Sequence, residues 1–139
     1  MPKPRQPRIG VDCIIRVRGR IVLIERRNPP LGWALPGGLV DEGETVTAAV
    51  RREMREETGL ELDNLELFGV YSEPGRDPRG DCISVVFTAD GKGTVRAGDD
   101  AQNIRLVTLD ELAELTLAFD HRQILSDYAA RSAKEKRSG

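Results

Sequence analysis

Apolar and β-branched residues fall along this chain in short runs. Val11 to Val17 (VDCIIRV) and Ile21 to Ile24 (IVLI) predict two strands, and Arg18-Gly19-Arg20 between them predicts a hairpin turn. Leu65 to Tyr71 (LELFGVY) and Cys82 to Ala89 (CISVVFTA) predict two more, and Ile104 to Val107 a shorter one. The run from Thr45 to Thr58 lacks Gly and Pro and is rich in helix formers. Thr45 or Thr47 would cap its start, and Gly59 stands where a helix would stop. Leu109 to Leu115 and Asp120 to Ala130 predict further helices. Asn28 to Gly32 and the polar stretch Ser72 to Asp81 are expected loops. Residues 1–8 and 133–139 are expected to be flexible tails on a domain spanning 9–132. Strands first, a helix in the middle, more strands and a closing helix imply an α/β fold, a mixed sheet packed between helices.

Composition narrows the function classes. A length of 139 residues fits one domain, and a net charge of -2 gives no broad basic surface for nucleic acid. No apolar run is long enough to span a bilayer, and the basic start MPKPRQPRIG has no hydrophobic core behind it. The expectation is therefore a cytoplasmic protein without a nucleic-acid or membrane partner. Cys13 and Cys82 sit in apolar strand-like runs outside any CxxC pair, and are expected to be structural thiols.

The informative stretch is Gly38 to Leu60, GLVDEGETVTAAVRREMREETGL. At about 100° per residue, Glu53, Glu56 and Glu57 fall within an arc of roughly 100° on one helix. Like charges at these spacings destabilise a helix by a few tenths of a kcal/mol per pair. A solvated acidic face with Arg51, Arg52 and Arg55 as partners is the plain alternative. Against it, Val46, Val50 and Met54 lie about 20°, 60° and 100° from Glu53, so the carboxylates border the stripe that should face the protein body. Clustered, partly buried carboxylates need a counter-charge, and a hard divalent cation shared with substrate phosphates supplies one. Gly37-Gly38 just upstream would let backbone groups approach a metal or phosphate without a side chain in the way.

This stretch resembles the Nudix box at Gly38, Glu44, Arg52, Glu53, Met54, Glu56, Glu57, Gly59 and Leu60. The resemblance implies an α/β/α sandwich with a mixed sheet, in which the box forms a loop-helix-loop catalytic motif. It further implies that Glu53, Glu56 and Glu57 bind magnesium, or manganese, with the Gly37 carbonyl a further candidate ligand. Arg52 would pair with a neighbouring carboxylate and Glu44 would brace the loop. The implied reaction is attack by water on a phosphorus of a diphosphate bridge. The general base stays open among Glu53, Glu56, Asp99 and Asp100.

The segments Arg76 to Asp81, Ala97 to Ala101 and Leu117 to His121 look like those of ADP-ribose pyrophosphatase-type members. That resemblance implies cleavage of ADP-ribose to AMP and ribose 5-phosphate. Arg76 and Arg79 would grip phosphate, Asp99 or Asp100 would add a metal ligand or base, and Phe119 would contact the substrate. Asp81 departs from the His that many such relatives carry, and Pro74 and Pro78 straddle the position of a proline often found there. The plain alternatives are a turn in which Arg76 or Arg79 pairs with Asp77 or Asp81, a structural His121, and Trp33 and Phe119 claimed by the core. Two other functions stay open: a nucleoside triphosphate pyrophosphohydrolase and a non-catalytic nucleotide sensor. The expected partner is a small nucleotide, and a homodimer is consistent with many relatives.

Overall fold

In the computed structural model, which describes residues 6–98 and 101–138, the expected first hairpin forms between β1 (Arg8–Val17) and β2 (Arg20–Arg26). Its turn residues Arg18 (φ 52) and Gly19 (φ 76) are both left-handed, the combination whose twist matches that of the flanking strands. The chain continues through β3 (Trp33–Ala34), β4 (Gly37–Leu39), α1 (Val46–Thr58), β5 (Glu61–Tyr71), β6 (Cys82–Lys92) and β7 (Ala101–Val107). A short 3-10 turn (Asp110–Glu114) and α2 (His121–Ser138) close it. The strands form one seven-stranded sheet, ordered β3-β2-β1-β6-β5 with β4 added to β1 and β7 to β2. β1 and β6 run parallel from Arg8↔Cys82 to Arg16↔Asp90, whereas the other pairings are antiparallel. The sheet is mixed, as expected.

Strand alternation divides the core. Val11, Cys13 and Ile15 of β1 pack with Ala49, Val50 and Met54 of α1, while Ile14 packs with Ile124 and Leu125 of α2. Fully burying a side chain such as Val50 or Met54 is worth about 1.5–3 kcal/mol, which fixes the face that α1 presents to the sheet. Its ends are set locally. Thr45 Oγ1 accepts a hydrogen bond from the Ala48 amide, and Gly59 takes the left-handed conformation (φ 74) that stops the helix.

The site arises from a divergence. β1 pairs with β2 only at Arg16↔Ile21 and Val17↔Arg20. Further along, β1 takes β4 as its partner, from Gly10↔Leu39 to Asp12↔Gly37, while β2 passes to β3 and β7. A cleft opens between the two arms, and α1 follows β4 at its edge.

Several boundaries differ from expectation. β3 and β4 lie in a stretch read as irregular, because their ladders are made with distant strands. β1 begins at Arg8, whose amide donates to Asp81 O. Leu109 to Leu115 shortens to the 3-10 turn. α2 continues through 133–138, expected as a tail; upstream, Arg131 packs over Phe68 at 4.1 Å and donates to its carbonyl at 3.2 Å. Cys13 is buried and Cys82 partly so, both free thiols with pKa values raised chiefly by burial. No described helix is long and apolar enough to cross a membrane.

Candidate active site

Arg52 organises the acidic helix. Its Nε and Nη2 donate to both oxygens of Glu44 at 2.7 and 2.9 Å. Nη1 donates to Glu53 Oε1 at 2.8 Å and Glu56 Oε2 at 3.3 Å, and Nη2 also reaches Leu39 O at 3.1 Å. One planar guanidinium thus sets the rotamers of the acids around it. Glu44 accepts from the Asp41 amide as well, so it ties the loop before α1 to the helix. These bonds, led by the one from Arg52, hold its carboxyl down at about 2.

The glycines meet the carboxylates directly. A Cβ on Gly38 would lie 2.2 Å from Glu53 Cδ, so only glycine leaves Glu53 its place. The Gly37 amide donates to Glu57 Oε2 at 2.8 Å. Glu57 is buried (7% exposed), Glu53 is largely covered, and Glu56 is the most exposed of the set. Glu53 and Glu57 therefore border the buried stripe as the helical wheel requires, and Glu56 stands toward solvent.

Glu57 also lines the cleft, a space of about 310 Å³. Gly37 and Gly38 share that edge with it, and Arg76, Arg79, Phe119 and His121 line the cleft too. Arg76 is almost fully covered and forms a two-pronged pair with Asp120 at 2.9 and 2.6 Å, a partner absent from the expected pairings. Arg79 forms a similar pair with Asp77 at 3.0 and 2.9 Å, the arrangement of the plain turn reading. Arg79 also lies 5.2 Å from the centre of the Phe119 ring, with Arg26 at 4.7 Å. Phe119 thus faces the cleft beside two guanidiniums, whereas Trp33 packs into the core around α2. Asp99 and Asp100 lie outside the described residues.

Sequence reasoning missed Asp12, Ser84, Arg8 and Arg26, and named Asp77 only as a turn partner, yet all five line the cleft. Asp77 is buried and accepts from Arg8 Nη2 at 3.0 Å and from the Arg79 amide at 2.9 Å besides the Arg79 side chain. Burial pushes its carboxyl up, but the Arg79 hydrogen bonds and the two positive charges outweigh that and hold it at about 2. Asp12 had a visible signal: it is a carboxylate inside the apolar strand run VDCIIRV. His121 is buried and accepts from the Leu35 amide through Nδ1 at 3.0 Å.

The NUDIX domain profile matches residues 5–128. The chain belongs to the Nudix family. It is 50% identical over 125 residues to the ADP-ribose pyrophosphatase of Methanocaldococcus jannaschii, covering 88% of this chain and 73% of that one. It is 35% identical over 118 residues to the ADPR responsive transcriptional repressor of Acinetobacter baylyi, covering 81% of this chain but only 47% of the repressor. Among solved structures, the NUDIX domain of Shewanella oneidensis NrtR complexed with ADP ribose superposes with a TM-score of 0.82 at 25% identity, covering 91% of this chain and 89% of that one. A MutT/nudix family protein from Enterococcus faecalis gives 0.78 at 31% identity, over 90% of this chain and 61% of that one.

Nudix hydrolases generally use divalent metals. Among the described residues no group of three acidic, His or Cys side chains surrounds one point as a ready chelate. The donor chemistry still fits a hard cation. Glu53, Glu56 and Glu57 offer carboxylate oxygens beside the backbone of Gly37-Gly38, and two of the three carboxylates already share the positive charge of Arg52.

Proposed function

We propose that this Nudix protein hydrolyses ADP-ribose to AMP and ribose 5-phosphate, with magnesium as its cation and manganese as a substitute. One observation carries the reading. Glu57 and Gly37-Gly38 edge a cleft that also holds an aromatic ring, Phe119, flanked by Arg26 and Arg79, while Glu53 and Glu56 line a second depression that shares Glu57 with it. A charged diphosphate suits the first group, and a base suits the second. The 50% identity to an ADP-ribose pyrophosphatase supports the same substrate.

In this proposal Glu53, Glu56 and Glu57 would hold the cation, with the Gly37 carbonyl a further candidate ligand. When bound, a divalent cation neutralises diphosphate charge and lowers the pKa of a coordinated water. Arg52 fixes Glu53 and Glu56 through its Nη1 bonds and prevents their swinging apart. Glu53 or Glu56 accepts the proton from the attacking water as the new P–O bond forms and the bridging P–O bond breaks. Glycine at position 38 keeps the Glu53 carboxylate against the backbone, where the substrate's phosphates would lie. Arg79 contributes positive charge from the cleft wall, while Arg76, already saturated by Asp120, serves the cleft mainly by holding its shape.

The same reading has the protein act in the cytoplasm on a small nucleotide, without nucleic acid or membrane, and accommodates a homodimer. A nucleotide sensor is the second reading, because a relative is an ADPR responsive repressor. The intact set Arg52, Glu53, Glu56 and Glu57 favours catalysis over it. The test compares kcat/KM across ADP-ribose, other nucleoside diphosphate sugars, dinucleoside polyphosphates and nucleoside triphosphates. Preference for ADP-ribose supports the proposal. Preference for a triphosphate, with pyrophosphate released, replaces the substrate, and binding without turnover replaces the reaction by sensing.

A further inference from the structure

The cleft also holds a carboxylate and an imidazole that this mechanism does not use. Asp12 occupies a β1 position whose alternate neighbour, Ile14, packs toward α2, so an acid stands where the strand pattern calls for an apolar residue. Its Oδ2 accepts a hydrogen bond from the Ser84 hydroxyl. Its Oδ1 accepts no hydrogen bond from the described residues and stands 3.8 Å from His121 Nε2, beyond hydrogen-bond reach. Because His121 Nδ1 accepts from the Leu35 amide, the neutral ring carries its proton on Nε2. Burial, the strongest influence on this imidazole, lowers its pKa and favours that neutral form. Among the described residues Nε2 has no hydrogen-bond partner, and the largely covered ring lines the cleft.

An acceptor and a donor thus stand side by side. Asp12 follows the pair Val11↔Gly38 and itself pairs with Gly37, at the diphosphate end. The His121 ring lies 5.2 Å from the ring of Phe119, at the base end. Resting on the functional reading above, the group between a base and a diphosphate is a ribose. Its vicinal hydroxyls are themselves paired donors and acceptors, and an acidic side chain on the ribose hydroxyl is a recurrent solution in dinucleotide sites. We infer that Asp12 Oδ1 and His121 Nε2–H together recognise the cis-diol of the ribose attached to the base, so that the protein selects ribonucleoside over deoxyribonucleoside diphosphate derivatives. One hydroxyl donates to the carboxylate, and the oxygen of the other accepts from the imidazole. The competing role is an internal strut, with Asp12 serving only to tie β6 and α2 to β1.

The experiment measures kcat/KM for ADP-ribose and for its analogues lacking the 2′- or the 3′-hydroxyl of the adenosine. Wild type, Asp12→Asn and Ser84→Ala are compared, with binding of AMP and 2′-deoxy-AMP followed by calorimetry. Wild type should disfavour at least one deoxy analogue by about tenfold to a hundredfold, the range expected when a buried partner is left unpaired. Asp12→Asn should shrink that ratio to within about threefold, chiefly through KM for ADP-ribose. Ser84→Ala, which removes the strut and keeps the carboxylate, should retain it. Each ratio is taken within one protein, so a lower folded fraction cancels. Equal use of all three compounds by wild type, or full discrimination by Asp12→Asn, overturns the inference while leaving ADP-ribose hydrolysis intact. Failure of wild type to bind or cleave ADP-ribose removes the functional reading itself, and this inference with it.

Discussion

Replacing Gly38 by Ala should separate activity from stability. The added Cβ would stand 2.2 Å from Glu53 Cδ and 2.4 Å from each of its oxygens. Non-bonded carbons settle at about 3.5 Å or beyond, so the carboxylate has to retreat by roughly 1–1.5 Å. That retreat breaks the 2.8 Å bond to Arg52 Nη1 and moves a proposed cation ligand. Misplacing a reacting group by about 1 Å costs on the order of a hundredfold in rate. Stability should respond differently. The clash is with the far end of a flexible side chain, and Gly38 does not occupy the left-handed region. Alanine gains about 0.4–1 kcal/mol from the unfolded chain, against less than about 1 kcal/mol for the lost, partly exposed Arg52–Glu53 contact. We expect kcat for ADP-ribose to fall about a hundredfold with net stability unchanged to within about 1 kcal/mol, read by initial rates and thermal melting. Gly69→Ala is the control, since its Cβ would meet Tyr71 at an ordinary 3.5 Å. A Gly38→Ala protein with kcat within about threefold of wild type would refute the reasoning.

Other substitutions probe the remaining parts. Glu57→Gln should lower kcat by orders of magnitude without loss of fold, because Glu57 is buried at the cleft edge on the Gly37 amide; near-normal turnover in a folded protein would remove it from the site. Arg79→Ala should raise KM for ADP-ribose more than it lowers kcat, and an unchanged KM would leave its pair with Asp77 as a turn brace only. Gly59→Ala forces a side chain into φ 74 and sets a Cβ 2.9 Å from Arg96 Cγ. It should cost about 1–2 kcal/mol, or on the order of 3–8 °C in Tm, and an unmoved Tm would count against the left-handed cap. The Asp77 carboxyl titrates at about 2, below its ordinary 3.8, so its ionised form stabilises the fold above about pH 4 and that contribution is lost as pH falls toward 2. The stability gap between wild type and Asp77→Asn should therefore be steady above pH 4 and close between about pH 4 and 2 in acid denaturation. A gap that widens toward low pH would reverse the assignment.

What was legible in the sequence was local. The ends of α1 follow from Thr45 and Gly59, whose effects reach only the adjacent turn, and the first hairpin from Arg18-Gly19. The box acids and their arginine share one helix, so their spacing alone placed them together. The hidden features depend on distant partners. β3 and β4 exist because Ile24 and Glu25, and Gly10 to Asp12, pair with them. The partner of Arg76 lies 44 residues away at Asp120, and Arg8 meets Asp77 across 69 residues. No periodicity within a window encodes such contacts. The end of α2 was also illegible, because its charged residues from Lys134 on show no apolar stripe. Asp12 stood in plain view inside VDCIIRV, yet its role needed the sheet register that sets it beside Gly37 and Ser84.

The most direct test is the product of ADP-ribose incubated with the protein and magnesium, resolved by chromatography beside the Glu57→Gln protein. AMP and ribose 5-phosphate in equal amounts, formed by wild type and lost in the variant, are expected if the α1 carboxylates and Gly37-Gly38 carry the reaction. Intact ADP-ribose with wild type, or equal cleavage by the variant, would contradict it.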